Sequence, residues 1–368
     1  MITPCSPTAE QIDLWVPTHL FSAGAYKLDQ TSITTKVDQN ESPWDWPEDM
    51  KQRVVDKVMS VSWNRYPSPY PVEIINQLSQ TCEIDPECIV VGQGSNTLIA
   101  LALSAFGHTQ VVAADPSFPL YKAHCRYAGL PYEPWPLDTN FEYDLKLLPP
   151  LKPGGIVVFA SPNNPTGSLL KDEDLHSLLS SYPKTLFIAD EAYLGFSSQN
   201  LSYLLKDFSN LILIRTLSKT AASAGIRCGY TLGHPTLVEQ IRKINLPFSS
   251  NIFTSFAIEA LLTDKEFIKK QKSWTATLLQ EKSVLISEMK KHLSSSAKLY
   301  PGHANFVMIQ FKNDDNLNMF NNHLKERQIL ARAISDGQRL KGCLRLSIGT
   351  PEENKAIIKA CQKFSGTR

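Results

Sequence analysis

A chain of 368 residues with 42% hydrophobic and 20% charged residues has the composition of an ordinary globular protein, long enough for one large domain and a smaller one. A formal net charge of +1 gives no electrostatic ground for a nucleic-acid or anionic-membrane partner, so a small anionic ligand would have to be gripped by a local cluster. The seven cysteines form no CxxC pair and no metal-like spacing with histidine, and the N-terminus MITPCSPTAEQIDLWV has neither a basic leader nor a long apolar run. Reduced thiols in a cytoplasmic protein, without signal peptide, membrane span or bound metal, are the expectation.

Residues 1–35 are weakly patterned and read as an arm with a short helix near Thr8–Trp15, of the kind that reaches a partner subunit. The stretch KVDQNESPWDWP, Lys36–Pro47, leads into a helix over Glu48–Ser60. WNRYPSPYP, Trp63–Pro71, is too rich in proline for a helix and gives a rigid extended loop carrying Tyr66. IVVGQGSNTLIALALSAF, Ile89–Phe106, reads as strand, glycine turn and helix, with free N–H groups and a positive dipole end at Ser95–Thr97 suited to a phosphate. VVAADPSFPLY is a further strand entering a loop at Phe118, which taken alone is as readily a core phenylalanine as a ring that stacks on a ligand. GGIVVFASPNNPTG, Gly154–Gly167, repeats that grammar and fixes Asn164 in a proline turn.

A helix over Asp172–Leu179 then crosses back to a buried strand, Leu186–Ala189, that ends at Asp190. A second buried strand, Leu211–Ile214, leads to Lys219. Helices follow near Pro235–Asn245 and Ser250–Thr263, then one long helix or two over Asp264–Leu293 and a loop at Leu293–Ala297. Strands at Ala304–Phe311 and Cys343–Gly349 flank a helix at Leu317–Arg327. The last helix opens on Thr350-Pro351-Glu352-Glu353, a capping box, and ends near Phe364. The expected architecture is α/β: a doubly wound, mainly parallel large domain over 36–263, and a smaller α+β domain over 264–368. In open sheets of this kind ligands bind at the carboxyl ends of the strands.

Chemistry concentrates there. A lysine just past a buried strand, with Arg227 eight positions on, suits an amine kept neutral by desolvation and cationic neighbours, able to form a Schiff base with a carbonyl. Asp190 on the neighbouring strand end could hold a pyridine nitrogen protonated, and Arg227 could meet a phosphate. Singly, such an aspartate is a turn residue and such a lysine is solvated; their combination is what carries weight. Arg345 lies between two leucines in a strand, on the face opposite theirs.

SPNNPTG at Ser161–Gly167, DEAY at Asp190–Tyr193 and TLSKTAASAGIRCGY at Thr216–Tyr230 resemble the fold-type-I aminotransferases that use pyridoxal 5′-phosphate, most closely the histidinol-phosphate aminotransferases, from about Lys36 to the last helix. The resemblance implies that Lys219 holds the cofactor and shuttles the donor's Cα proton, and that Asp190 holds the pyridinium. It implies that Asn164 and Tyr193 bond the phenolic oxygen and that Phe118 stacks on the ring. Ser95, Asn96, Thr216, Ser218 and Arg227 would hold the phosphate, with Tyr66 from the other subunit of a homodimer. Arg345, Arg332 and Tyr26 would hold the substrate. The reaction implied is histidinol phosphate with 2-oxoglutarate, in histidine biosynthesis. An aromatic aminotransferase and a threonine-phosphate decarboxylase share most of these motifs. A remote alternative is an NAD-dependent dehydrogenase, from Gly92, Gly94 and Asp115, although Thr97 stands where the third fingerprint glycine belongs.

Overall fold

The computed structural model describes residues 6–21, 33–334 and 337–364. In chain order its strands are β1 (Thr35–Lys36), β2 (Ile89–Gly92), β3 (Val111–Asp115), β4 (Tyr132–Pro136), β5 (Ile156–Ala160), β6 (Leu186–Asp190), β7 (Leu211–Thr216), β8 (Gly229–Gly233), β9 (Ala297–Tyr300), β10 (Phe306–Phe311), β11 (Ile329–Leu330), β12 (Arg332–Ile334) and β13 (Cys343–Ser347).

Seven of them form one sheet in the order β2, β8, β7, β6, β5, β3, β4. β8 runs antiparallel to both its neighbours and every other pair in the sheet is parallel. Alternate residues of the central strands enter two different cores. Val157, Phe159, Phe187, Ala189, Leu211 and Leu213 pack with the helices Val72–Cys82 and Asp172–Ser181 on one face. Ile156, Val158, Ile188, Ile212 and Ile214 pack with Ser95–Phe106, Pro119–Tyr127 and Pro235–Ile244 on the other. Burial on both faces is why these strands read as unbroken apolar runs, and helices on both faces make the sheet doubly wound.

This topology removes the dehydrogenase reading. A dinucleotide fingerprint needs β2, its helix and β3 to form a parallel pair, but β2 pairs antiparallel with β8 whereas β3 lies between β5 and β4.

Asp264 caps a single helix, Lys265–Leu293, 29 residues long, through a bond from Phe267 N–H. Its stripe Leu278, Leu285, Met289 and Leu293 packs on the second, antiparallel sheet, β12, β13, β10, β9. The last helix, Pro351–Lys363, carries the expected capping box at Thr350. The helix expected at Leu317–Arg327 starts earlier and spans Asp314–Lys325, because Asn313 caps it by accepting from Asn316 N–H and two aspartates fill its first turn.

The division expected at residue 36 does not follow the packing. β1 pairs in parallel with β11, Val37 N–H and C=O bond Leu330 and Ser347, and Val37 and Trp44 pack in the core of the C-terminal sheet. The chain therefore crosses from the small unit into the large one near the Glu48–Ser60 helix. Among the described residues no helix is long and apolar enough to cross a membrane.

Candidate active site

The carboxyl ends of β5, β6 and β7 face the segment 38–41 and the strands β12 and β13 across a cavity of about 440 Å³. Ser95, Asn96, Phe118, Asn164, Asp190, Tyr193, Thr216, Ser218, Lys219, Arg227, Arg332 and Arg345 all line it. Tyr66 does not: it is 83% exposed on its proline loop, with its ring 4.9 Å from that of Phe248. Tyr26 lies outside the described residues.

Beyond the end of β7 the Thr216 hydroxyl donates to Ser218 Oγ at 2.9 Å and accepts from Ser218 N–H at 3.2 Å. That tight turn brings Lys219 into the cavity, where its Nζ donates to the Gln39 carbonyl at 2.9 Å. Burial, and then the nearby Arg345 and Arg227 guanidinium groups, pull its pKa down from 10.5 to about 8, against the attraction of Glu41. About a tenth of the amine is thus neutral at pH 7, far more than an exposed lysine would supply.

Asp190 closes β6. Its Oδ2 accepts from the Tyr121 hydroxyl at 2.7 Å and its Oδ1 from Ala192 N–H at 3.0 Å. Burial pushes its carboxyl up to about 6, with those two bonds pulling the other way. Tyr121 escaped the sequence reading; its place one helical turn beyond Phe118, on the same helix face, was the available signal.

At the other end the helix Ser95–Phe106 begins on Gly94, which has φ 87° and offers no side-chain cap, so the first N–H groups stay open to a ligand. A Cβ on Gly94 would come within 2.6 Å of Arg227 Nη2, and one on Gly229 within 2.4 Å of Ser95 N. Only glycine at both positions lets the guanidinium and the helix end converge. His124 Nε2, unnoticed in the sequence, meets Asn96 Oδ1 at 2.9 Å.

Opposite the lysine, Arg345 donates from Nη1 to Asn164 Oδ1 and from Nη2 to the Asp38 carbonyl, both at 2.6 Å. Arg332 stands directly across from Arg345 in the β12–β13 ladder. Asn40, first of the N-E-x-P residues 40–43 that in the resembling family line the mouth of the site, donates to the Tyr193 hydroxyl at 2.8 Å and accepts from Ser347 Oγ at 2.9 Å.

A softened lysine, a buried acid on the next strand, a glycine-lined helix end with an arginine and an aromatic face at Phe118 fit the carbonyl, ring nitrogen, phosphate and ring of pyridoxal 5′-phosphate. The cradle that a Cβ on Gly94 would fill is the feature that tests that fit.

Comparison with known proteins points the same way. The histidinol-phosphate aminotransferase of Caldanaerobacter subterraneus subsp. tengcongensis is 32% identical over 347 residues, 92% of this chain and 95% of the relative. The histidinol-phosphate aminotransferase of Sinorhizobium meliloti, solved in complex with pyridoxal-5′-phosphate, matches with a TM-score of 0.76 at 23% identity, over 90% of each chain. L-threonine-O-3-phosphate decarboxylase of Porphyromonas gingivalis matches with a TM-score of 0.74 at 20% identity, over 90% of this chain and 99% of that one, so the fold alone does not separate the two activities. The model of the family described as aminotransferase class I and II matches residues 22–361, a span that contains every residue lining the cavity, and the chain belongs to that family.

Proposed function

We propose that this chain transfers the amino group of histidinol phosphate to 2-oxoglutarate with pyridoxal 5′-phosphate held at Lys219. The observation that carries the substrate is the register of Arg332 and Arg345, directly opposed on one ladder and both facing the cavity that holds Lys219. Like charges so placed repel, and an anion between them relieves that repulsion. A planar guanidinium serves a carboxylate or a phosphate equally, so the pair suits glutamate in one half-reaction and a phosphate ester in the other. The name of the 32% identical relative supports the same donor.

When bound, the cofactor supplies an electron sink for the donor's Cα carbanion. The residues do the rest. Asp190 would keep the proton on the ring nitrogen, Asn164 and Tyr193 would bond the phenolic oxygen, and Phe118 would offer its face. Ser95, Asn96, Thr216, Ser218 and Arg227 would hold the phosphate. Lys219 Nζ, partly neutral near pH 8, would take the donor's Cα proton as general base and give it back as general acid. The sites are shared in a homodimer, a reading supported by the exposed Tyr66 on its rigid loop. The six described cysteines are free thiols, which supports a reducing, cytoplasmic setting.

The test is a donor panel on purified protein loaded with the cofactor. The expected result is a yellow protein in which borohydride fixes the cofactor on Lys219, and in which histidinol phosphate and glutamate each discharge the yellow form. Preference for phenylalanine or tyrosine would move the function to an aromatic aminotransferase, and carbon dioxide release from threonine phosphate to a decarboxylase.

A further inference from the structure

Asp190 is the acid on which the ring nitrogen depends, yet the cavity supplies little to keep it ionised. It is buried, and two phenols face it, Tyr121 from the helix Pro119–Tyr127 and Tyr143 from the loop after β4, with Tyr193 from its own strand end beside Tyr121. Glu191 next to it disfavours its charge, while Lys219 favours it. The Tyr143 hydroxyl is committed to the Ala160 carbonyl at 2.7 Å, and Tyr193 receives the Asn40 amide at 2.8 Å. Tyr121 donates to the carboxylate, on Oδ2, opposite the oxygen taken by Ala192 N–H. The same ring, 1% exposed, meets Phe118 edge to face at 5.6 Å.

We propose that Tyr121 is a positioning residue, whose phenol, bonded to Asp190 Oδ2, holds that carboxylate anionic and in one orientation for the ring nitrogen of the bound cofactor. The inference rests on the cofactor assignment made above. A phenol donates readily to a carboxylate and much less to a neutral acid, so the bond favours the charged form and opposes the desolvation that raises the Asp190 pKa. Ordinary packing in a core would need the ring of Tyr121 but not its hydroxyl. The hydroxyl is placed where an uncharged Asp190 would leave the pyridine unprotonated and the electron sink weak.

The two roles separate by their pH dependence. In cofactor-free protein labelled with ¹³C at the aspartate carboxyls, with the Asp190 signal assigned by its loss in Asp190→Asn, the titration midpoint of Asp190 should rise by about one pH unit or more in Tyr121→Phe. The dissociation constant of pyridoxal 5′-phosphate, measured by equilibrium dialysis, should be about tenfold weaker for Tyr121→Phe near pH 5, below both midpoints, and converge on wild type toward pH 8.5, where the carboxyl is ionised in both. An unchanged midpoint, or a loss of affinity equal at every pH, overturns the proposal. If Tyr121→Phe does not fold, replacing Tyr121 by 3-fluorotyrosine, a stronger donor of nearly the same shape, should move the Asp190 midpoint down, and an unmoved midpoint overturns the proposal. Should wild-type protein take up no pyridoxal 5′-phosphate at all, the cofactor assignment falls, and the titration still decides whether Tyr121 sets the charge of Asp190.

Discussion

A carboxyl 4% exposed with its pKa pushed up to about 6 is a liability in the cofactor-free chain, because above that pH Asp190 is a buried anion. Its folded pKa lies above the ordinary 3.8, so between roughly pH 4 and 6 the native state binds more protons than the unfolded one. The contribution of this group to stability therefore falls as pH rises through that window and stays low above it. Asp190→Asn should accordingly stabilise the cofactor-free chain at pH 8 by about 1–3 kcal/mol, seen as a higher urea midpoint, while weakening cofactor retention. Equal midpoints at pH 8 would mean that the carboxylate is already solvated or paired. The arginine pair makes a second prediction at this scale. Arg345→Ala should impair both half-reactions, whereas Arg332→Ala should harm histidinol phosphate more than glutamate by about 1.5–3 kcal/mol in kcat/KM, the worth of a charge-assisted bond. Equal losses for the two donors would remove Arg332 from phosphate recognition.

Lys282 falls on the apolar stripe of the long helix, 7% exposed, where periodicity calls for a hydrophobic residue. Its ammonium donates to the carbonyls of Gly302 at 2.8 Å and Ala304 at 2.7 Å, and burial lowers its pKa to about 8. The loop so held is pressed on the turn after Asn164: His303 N–H bonds the Gly167 carbonyl at 2.7 Å, and a Cβ on Gly167 would sit 2.6 Å from Gly302 Cα. The long helix is thus tied through one lysine to the turn that carries Asn164. Lys282→Met leaves two carbonyls without this donor and should cost about 2–4 kcal/mol in urea unfolding. A variant as stable as wild type would mean that water replaces the ammonium. Devices of this kind mark where the sequence stops being readable. The strands β5, β6 and β7, and with them Asp190 and Lys219, were legible because burial on both faces writes an unbroken apolar run ended by polar residues. The bond of Tyr121 to Asp190 and that of Asn40 to Tyr193 were not, since the partners lie 69 and 153 residues apart and no local pattern names them. The two-residue pair of β1 with β11 is likewise too short to leave a periodic signal, yet it decides which sheet receives Val37.

At the scale of the whole molecule, the helix end at Gly94, where we place the phosphate, opens beside an apolar surface. The loop 63–71 and the segment before the helix Ile252–Thr263 are joined by the Tyr66–Phe248 ring contact and by Phe248 N–H on the Pro69 carbonyl at 3.1 Å. Trp63 and Leu246 stand 66% and 75% exposed on it, and Gln93, which precedes Gly94, bonds the Ser249 carbonyl. A patch of that kind is normally covered by a partner. If a second copy of the chain covers it, Tyr66 of one copy reaches the cradle of the other, and each site takes Lys219 and Tyr66 from different chains. Tyr66→Phe should then weaken cofactor retention by roughly 1.5–3 kcal/mol, one hydrogen bond to a charged group. Lys219→Ala should keep the cofactor through the phosphate and ring contacts but lose turnover by several orders of magnitude. Mixed and allowed to exchange, the two variants form hybrids in which one site carries both defects and the other neither. At a cofactor concentration too low to fill Tyr66→Phe sites, an equal mixture should recover about a quarter of the wild-type activity, since half of randomly paired dimers are hybrids with one native site each. No recovery on mixing, or an active species that sediments as a monomer, would show that each chain builds its site alone.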